Sequence, residues 1–220
     1  VSEKVITDSV TNGITVGGSN NTLSRNILDN SPIALSGEGK ANTITENRIS
    51  NTGGSAIWTL HENSENTISG NNIFECNVGI NLDTSNNVIY ENNVTGNKIG
   101  VNLVLAIGNL FYHNNFVENE KQVTFQYGRF SPAYVNVWSN QQEGNYWSDY
   151  TGTDNDTDGI GDAPYVIDEN NQDNYPLMEP VIIPEFPSGI VILIILTPLS
   201  GAVAIYKRRL KSQTNLENMN

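Results

Sequence analysis

Residues 66–73 read Asn-Thr-Ile-Ser-Gly-Asn-Asn-Ile, an octet with asparagine at its first and sixth positions and an apolar residue at its third and eighth. The same octet begins at Asn21, Asn42, Asn66, Asn87 and Asn109. The step from one octet to the next is therefore 21 to 24 residues. Recurrence at a near-constant spacing is typical of a repeat fold.

A second short apolar segment lies between successive octets. These segments are Gly13–Val16, Ile33–Leu35, Ala56–Trp58, Gly79–Leu82 and Gly100–Leu103. Each repeat thus predicts two or three short strands separated by turn residues. One repeat cannot bury its own apolar side chains, but repeats stacked about 4.8 Å apart form a continuous core. We therefore predict an all-β fold, a right-handed parallel β-helix of about five coils of 21–24 residues.

The second asparagine of the octet is predicted to stack from coil to coil. Stacked amides can hydrogen-bond to one another and satisfy the polar groups that the bends leave unpaired. An alternative is a face of amides that binds sugar hydroxyls. The residues concerned are Asn26, Asn47, Asn71, Asn92 and Asn114.

Charge is divided unevenly along the chain, whose formal net charge is −13. Residues 1–186 hold 7 Lys/Arg against 23 Asp/Glu, which gives −16, and residues 207–220 hold 4 against 1, which gives +3. An acidic body repels nucleic acid and attracts cations. Cys76 is the only cysteine, so no intrachain disulfide forms, and we expect a small packed residue there, with a reactive thiol as the alternative. The first residue is Val1, which suggests a removed signal peptide or a fragment.

The repeat over residues 12–140 resembles that of the NosD-like family of parallel β-helix proteins, also called the carbohydrate-binding and sugar-hydrolysis type. The resemblance implies a surface or periplasmic protein, and the family name refers to copper delivery to nitrous oxide reductase. Copper delivery needs clustered His, Met or Cys. His61, His113, Cys76 and Met178 are scattered in the sequence, and we expect the histidines to be surface residues.

Residues 144–180 change character and are similar to the segment that closes archaeal NosD-like repeats. This segment is rich in aromatic residues, which either cover the open last coil or form a platform for sugar stacking. They are Tyr146, Trp147, Tyr150, Tyr165 and Tyr175.

An acidic loop within this segment predicts a structural Ca²⁺ ion. Its carboxylates alternate as in calcium loops, Gly159 provides the turn, and Tyr165 stands where an EF-hand has glutamate. The loop thus resembles those of dockerins or thrombospondin type 3 repeats, with Asp168 or Asp173 as a further candidate ligand. A solvated acidic turn and a regulatory site are the alternatives. The predicted ligands are Asp154, Asp156, Asp158, Ile160 and Asp162.

Residues 188–206 carry no charge and predict a transmembrane helix about 28 Å long. The basic tail, residues 207–220, is then cytoplasmic, and the acidic body lies on the outer face of the cell membrane. Residues 181–187 contain Pro-Glu-Phe-Pro and resemble a PEF-type sorting signal of archaeal surface proteins. Such a signal leaves two outcomes open, a permanent anchor and a helix removed by a sortase-like enzyme.

The sequence therefore divides into repeats (1–143), a cap with the calcium loop (144–180), a linker or sorting motif (181–187), a transmembrane helix and a tail. No paired-Asp strand or Gly-His-Gly motif occurs, and no catalytic residue is assigned. We expect a noncatalytic surface scaffold, or a module that binds glycans or cell-envelope proteins. The alternatives are a carbohydrate-active enzyme of the polysaccharide lyase or hydrolase type and a NosD-like periplasmic copper accessory protein.

Overall fold

The computed structural model describes residues 1–60, 63–126 and 134–184. Residues 1–184 fall within one compact unit. The predicted fold is confirmed: the chain winds as an all-β, right-handed parallel β-helix of about five turns. Each turn contributes one strand to each of three parallel sheets, and strands of equal position in the repeat pair in register.

The strands are short because turn residues interrupt them on each coil. The seven-stranded sheet contains β1 (Val5–Thr7), β4 (Ile27–Asp29), β7 (Arg48–Ser50), β10 (Asn72–Phe74), β13 (Asn93–Thr95), β16 (Asn115–Val117) and β18 (Tyr146–Trp147). The six-stranded sheet contains β2 (Ile14–Gly17), β5 (Ile33–Ser36), β8 (Ser55–Thr59), β11 (Val78–Leu82), β14 (Ile99–Val104) and β17 (Lys121–Gln126). The five-stranded sheet contains β3 (Thr22–Ser24), β6 (Thr43–Thr45), β9 (Thr67–Ser69), β12 (Val88–Tyr90) and β15 (Leu110–Tyr112). A small antiparallel pair is formed by β19 (Tyr165–Val166) and β20 (Gln172–Asp173).

The core consists of columns of like apolar side chains, one residue from each coil. In the five-stranded sheet the inward column is Leu23, Ile44, Ile68, Ile89 and Phe111, all fully buried. Because every coil places an apolar side chain at these positions, each strand packs on a similar neighbour and the core is continuous along the stack. The two apolar positions of the octet therefore account for the interior of two sheets.

The predicted asparagine ladder is confirmed. From Asn26 to Asn114 each side-chain amide donates to the Oδ1 atom of the asparagine one coil later, over 2.8 to 3.0 Å. The same Oδ1 also accepts the backbone N–H of the preceding asparagine, as in the Asn71 N to Asn92 Oδ1 bond of 3.0 Å. All these side chains are buried, which argues against the alternative of a sugar-binding amide face.

The ladder extends beyond the octets and ends on a carboxylate. Asn114 donates to Asn145, and Asn145 donates through its backbone N (2.7 Å) and Nδ2 (3.2 Å) to Asp173 Oδ2. Burial raises the pKa of the Asp173 carboxyl, while hydrogen bonds from Trp147, Asn145 and Tyr175 act in the opposite direction. An acceptor-only group suits the last rung because no later coil is there to receive a donor.

Two further ladders, which the sequence analysis did not identify, end in the same way. One runs through the first asparagine of the octets to Asn136 and Asn171, and Asn171 Nδ2 donates to Asp168 over 2.9 Å. The other runs from Asn97 through Asn119 to Gln122, whose Nε2 lies 3.2 Å from Asp149. Each ladder thus ends on an aspartate that follows the last coil.

Aromatic side chains cover the last coil. Trp147, which is 1% exposed, stacks on Phe116 with ring centroids 4.6 Å apart, and Tyr165 stacks on its other face at 4.3 Å. Tyr150 lies edge-on to Tyr165, whereas Tyr175 is 37% exposed. Trp147 is thus packed into the interior, Tyr150 and Tyr165 are partly buried against the core, and Tyr175 is exposed.

The predicted transmembrane helix (188–206), the basic tail and residues 185–187 of the sorting motif lie outside the described residues. Within the described ranges, the structure contains no helix with the length and apolar character needed to cross a membrane.

Candidate functional site

The outward face of the six-stranded sheet carries a column of side chains suited to a polar ligand. Strand pairing aligns Trp58 on β8 with Asn81 on β11, Asn102 on β14 and Thr124 on β17. Asn102 Nδ2 donates to Asn81 Oδ1 over 2.6 Å, and Thr124 Oγ1 donates to Asn102 Oδ1 over 2.8 Å. We call these four residues the Trp58 column.

Trp58 stands out in this column because 37% of its surface is exposed although it lies on a central strand, whereas Asn81 and Asn102 are only 9% and 6% exposed. The neighbouring amides of Asn81 and Asn102 are ordered by their mutual hydrogen bond. Among the described residues, Asn81 Nδ2 has no hydrogen-bond acceptor. A tryptophan face beside an ordered amide can stack on an apolar ring face and donate to a hydroxyl.

The repeat pattern within one coil did not single out the Trp58 column. In the second strand segment of their repeats, Asn81 and Asn102 fall between apolar residues, and Trp58 holds the same position between Ile57 and Thr59. Alternation along a strand predicts an outward side chain there. The signal that identifies the column is the alignment of these segments from coil to coil, which brings the four residues to one position of the repeat.

The acidic loop gathers part of the predicted calcium ligand set. Carboxylate oxygens of Asp154, Asp156 and Asp158 all lie within 4.8 Å of one another. Asp154 accepts the backbone N–H groups of Thr157 and Gly159 over 2.7 and 3.0 Å, which curls the loop around its carboxylate. The charge of Asp158 raises the pKa of the Asp156 carboxyl above its usual range. Mutual repulsion of this kind is what a hard divalent cation relieves.

The remaining predicted ligands make other contacts. Asp162 Oδ2 accepts the backbone N–H of Asn155 over 3.0 Å, and Ile160 pairs with Leu177 in an isolated bridge. Asp168 and Asp173, suggested as further ligands, end two of the asparagine ladders. The calcium site remains a prediction, with Asp154, Asp156 and Asp158 as the carboxylates best placed to hold the ion.

Calcium is expected to raise the melting temperature of the protein, and a chelator is expected to reverse this shift. The physical reason is that an ion bound only by the folded loop stabilises it by mass action. The matched control is Asp154→Asn, which removes one carboxylate from the cluster and should abolish the calcium-dependent shift. Melting curves measured with and without chelator decide the matter, and identical curves for the unmodified protein would contradict the site.

Cysteine and histidine side chains among the described residues could bind copper. Cys76 is 4% exposed, its thiol lies 3.2 Å from the Phe74 carbonyl oxygen, and burial raises its pKa. His113 Nε2 lies 2.6 Å from Glu143 Oε2 and pairs with that carboxylate. Within the described ranges the three aspartates are the one group of at least three His, Cys, Asp or Glu side chains close enough to share a metal ion, and they are hard oxygen ligands. His61 lies outside these ranges. The described residues therefore do not fit copper.

An open groove of about 750 Å³ lies at the turns that connect the seven-stranded and six-stranded sheets. Its lining includes Glu75, Glu118, Glu120 and Lys98, and it contains no aromatic side chain. Trp58 lies outside this groove. Among the described residues, the acidic groups of this groove and the exposed tryptophan are thus on separate surfaces.

Comparisons with known proteins agree with the fold. A family model described as periplasmic copper-binding protein (NosD) matches residues 1–152. A probable ABC transporter binding protein NosD from Stutzerimonas stutzeri is 28% identical over 131 residues, which cover 60% of this chain and 24% of that protein. The protein of the same description from Pseudomonas aeruginosa is 30% identical over 122 residues, or 56% and 22% of the two chains. The chain therefore spans about a quarter of the length of the curated relatives it matches.

Proposed function

Because this chain belongs to the NosD family of parallel β-helix proteins, we propose that its coils form a noncatalytic, extracytoplasmic binding module whose ligand is a glycan. The observation that supports this function is the Trp58 column, in which a partly exposed indole stands beside largely buried amides that hydrogen bonds hold in place. The register of β8, β11, β14 and β17 fixes these side chains in place, so the module binds without rearranging its backbone.

A pyranose ring fits this arrangement because it has an apolar face and a rim of hydroxyl groups. The apolar face stacks on Trp58, and a hydroxyl of the ring accepts a hydrogen bond from Asn81 Nδ2. Asn102, which is 6% exposed, holds the Asn81 amide in place and is itself held by Thr124. Coil spacing of about 4.8 Å repeats polar groups along the column, which favours a chain of sugars over a single one. The net charge of −13 disfavours nucleic acid as a ligand.

The setting of the module is part of the same proposal. We place it on the outer face of the cell membrane, tethered through the apolar segment 188–206 and with its C-terminus cytoplasmic. A structural Ca²⁺ ion at Asp154, Asp156 and Asp158 would hold the acidic loop, which is joined to the last coil by the Ile160–Leu177 and Tyr146–Leu177 bridges. Other envelope proteins are further candidate partners.

Glycan binding is tested by applying the protein to a polysaccharide array in the presence of calcium and assaying positive spots for released reducing ends. We expect binding without release, and Trp58→Ala should weaken it by about tenfold or more because the stacking surface is lost. Thr45→Ala, on the five-stranded sheet, is the matched control and should bind normally. Release of reducing ends would show an enzyme, and binding unaffected by Trp58→Ala would place the site elsewhere.

A copper-related role is the second candidate, favoured by the description of the family model and by the names of the relatives. Since the described residues offer no group of three His or Cys side chains close enough to share a metal ion, this role would make the coils a docking element for proteins that carry the metal. Titration of Cu(I) against a chromophoric chelator separates the two cases. Retention of copper by the protein, lost in Cys76→Ser or His113→Ala, would show that the coils themselves bind it.

A further inference from the structure

The outward face of the five-stranded sheet is divided into two chemically distinct halves. In the first three strands the outward residues are all hydroxyl side chains, namely Thr22, Ser24, Thr43, Thr45, Thr67 and Ser69. In the next two strands the residues in the same columns are Val88 and Tyr90, then Leu110 and Tyr112. Val137 pairs with Leu110 and continues the apolar column beyond β15. We call Val88, Tyr90, Leu110, Tyr112 and Val137 the apolar patch.

The apolar patch is accessible and ordered. Val137 is 48% exposed, and Val135 and Ile107 at its border are 49% and 41% exposed, while the other four members of the patch are half-buried. Tyr90 and Tyr112 stack with centroids 5.3 Å apart and ring planes within 6°, so the pair presents one flat surface. Contiguous apolar side chains on the outward face of a sheet mark interaction sites in soluble domains. Tyrosine is also enriched where proteins bind each other.

Acidic groups flank the patch along the edge where the strands end. Each tyrosine is followed by a residue with positive φ, Glu91 (52°) after Tyr90 and His113 (54°) after Tyr112. His113 in turn holds Glu143, whose side chain is 51% exposed. A second copy of this chain would place the same carboxylates opposite each other, and the like charges would repel. An anionic lipid surface would be repelled by the same carboxylates. The rim therefore favours a partner of opposite charge.

We propose that the apolar patch is a docking surface for another protein, whose contact region has an apolar centre and a rim of Lys or Arg residues. This inference goes beyond glycan binding, because the patch and the Trp58 column lie on different sheets. Burial of the tyrosine pair supplies most of the affinity, and Glu91 and Glu143 steer the partner into register.

A photo-crosslinking phenylalanine analogue, placed singly at positions 110 and 137 of the full chain in its native cell, tests the proposal. We expect an adduct with one other protein from both positions and none from positions 22 and 43, which lie in the same column on the hydroxyl half. Adducts with a second copy of the chain or with lipid, and the lack of any adduct, would each overturn the proposal. Adducts of equal yield from positions 22 and 43 would do so too.

Affinity measurements with the purified partner complete the test. Tyr112→Glu should weaken binding by about tenfold or more, and Glu91→Lys with Glu143→Lys should slow association and reduce its salt dependence. Thr45→Glu is the matched control on the hydroxyl half and should leave affinity unchanged. Glycan binding by the same variants is measured in parallel, so that loss of docking and loss of the Trp58 function are told apart. If none of these substitutions changed the affinity for the partner, the inference would be contradicted.

Discussion

Replacement of Asn71 by alanine is expected to lower the free energy of unfolding by about 3–5 kcal/mol. Asn71 Oδ1 accepts both the backbone N–H and the Nδ2 of Asn47, over 2.9 and 3.0 Å. Its Nδ2 donates to the Ile44 and Ser69 carbonyls and to Asn92 Oδ1. Alanine would leave several of these groups buried without a partner, which costs far more than the loss of an exposed hydrogen bond.

The matched control is Asn72→Ala, the same substitution at the adjacent residue. Asn72 points out of the seven-stranded sheet and is half-buried, and its side chain makes no hydrogen bond among the described residues. Its replacement should change stability by less than about 0.5 kcal/mol. Chemical denaturation of both variants gives the comparison directly. Equal losses at the two positions would mean that the ladder contributes little and that strand propensity dominates.

Trp147→Ala is expected to cost a further large amount, about 3–5 kcal/mol. The indole is fully buried between Phe116 and Tyr165, and its Nε1 donates to Asp173 over 3.0 Å. Its removal would open a cavity under the segment that covers the last coil and would leave the buried carboxylate with one donor fewer. Hydrogen exchange should then show loss of protection in residues 144–180 before the inner coils.

Trp58→Ala provides the control for this prediction, because it deletes the same side chain from the solvent-facing side of a sheet. Since Trp58 is 37% exposed, its removal creates no enclosed cavity and should cost under about 1 kcal/mol. If Trp58→Ala lowered the free energy of unfolding as much as Trp147→Ala, burial of Trp147 at the end of the stack would not be what stabilises the protein. The same measurement also shows whether Trp58→Ala, the variant used to test glycan binding, is folded.

The octet was sufficient to predict the repeat fold, the core columns and one ladder, since all three follow from side chains that recur at one spacing. Asn145 and Asp173 were not predicted as later rungs because they lie 31 and 28 residues beyond the rung before them. The ladder through Asn97 and Asn119 was missed because it lies outside the octet. Regular spacing thus identifies the inner coils and fails where the chain makes longer excursions.

Surface features were harder to predict than the interior for a physical reason. Val88, Tyr90, Leu110 and Tyr112 occupy octet positions that tolerate any residue, so no pattern within one repeat marks them. They become a surface only when coils are aligned and equal positions are compared along the stack. The predicted calcium ligands show the opposite case, since a local motif named five residues and the structure gathers the carboxylates of three, Asp154, Asp156 and Asp158.

The three ladders all donate in the same direction and all finish on an aspartate. The two ends of the coil stack are therefore not interchangeable. A carboxylate accepts but cannot donate, so an aspartate in the middle of a ladder would interrupt it. The gene for such a protein can therefore lengthen by duplicating an inner repeat, while the acidic segment 144–180 that ends the ladders stays unchanged. The direction of the hydrogen bonds thus permits the number of inner coils to change during evolution, whereas the segment that ends the ladders has to stay at its own end of the stack.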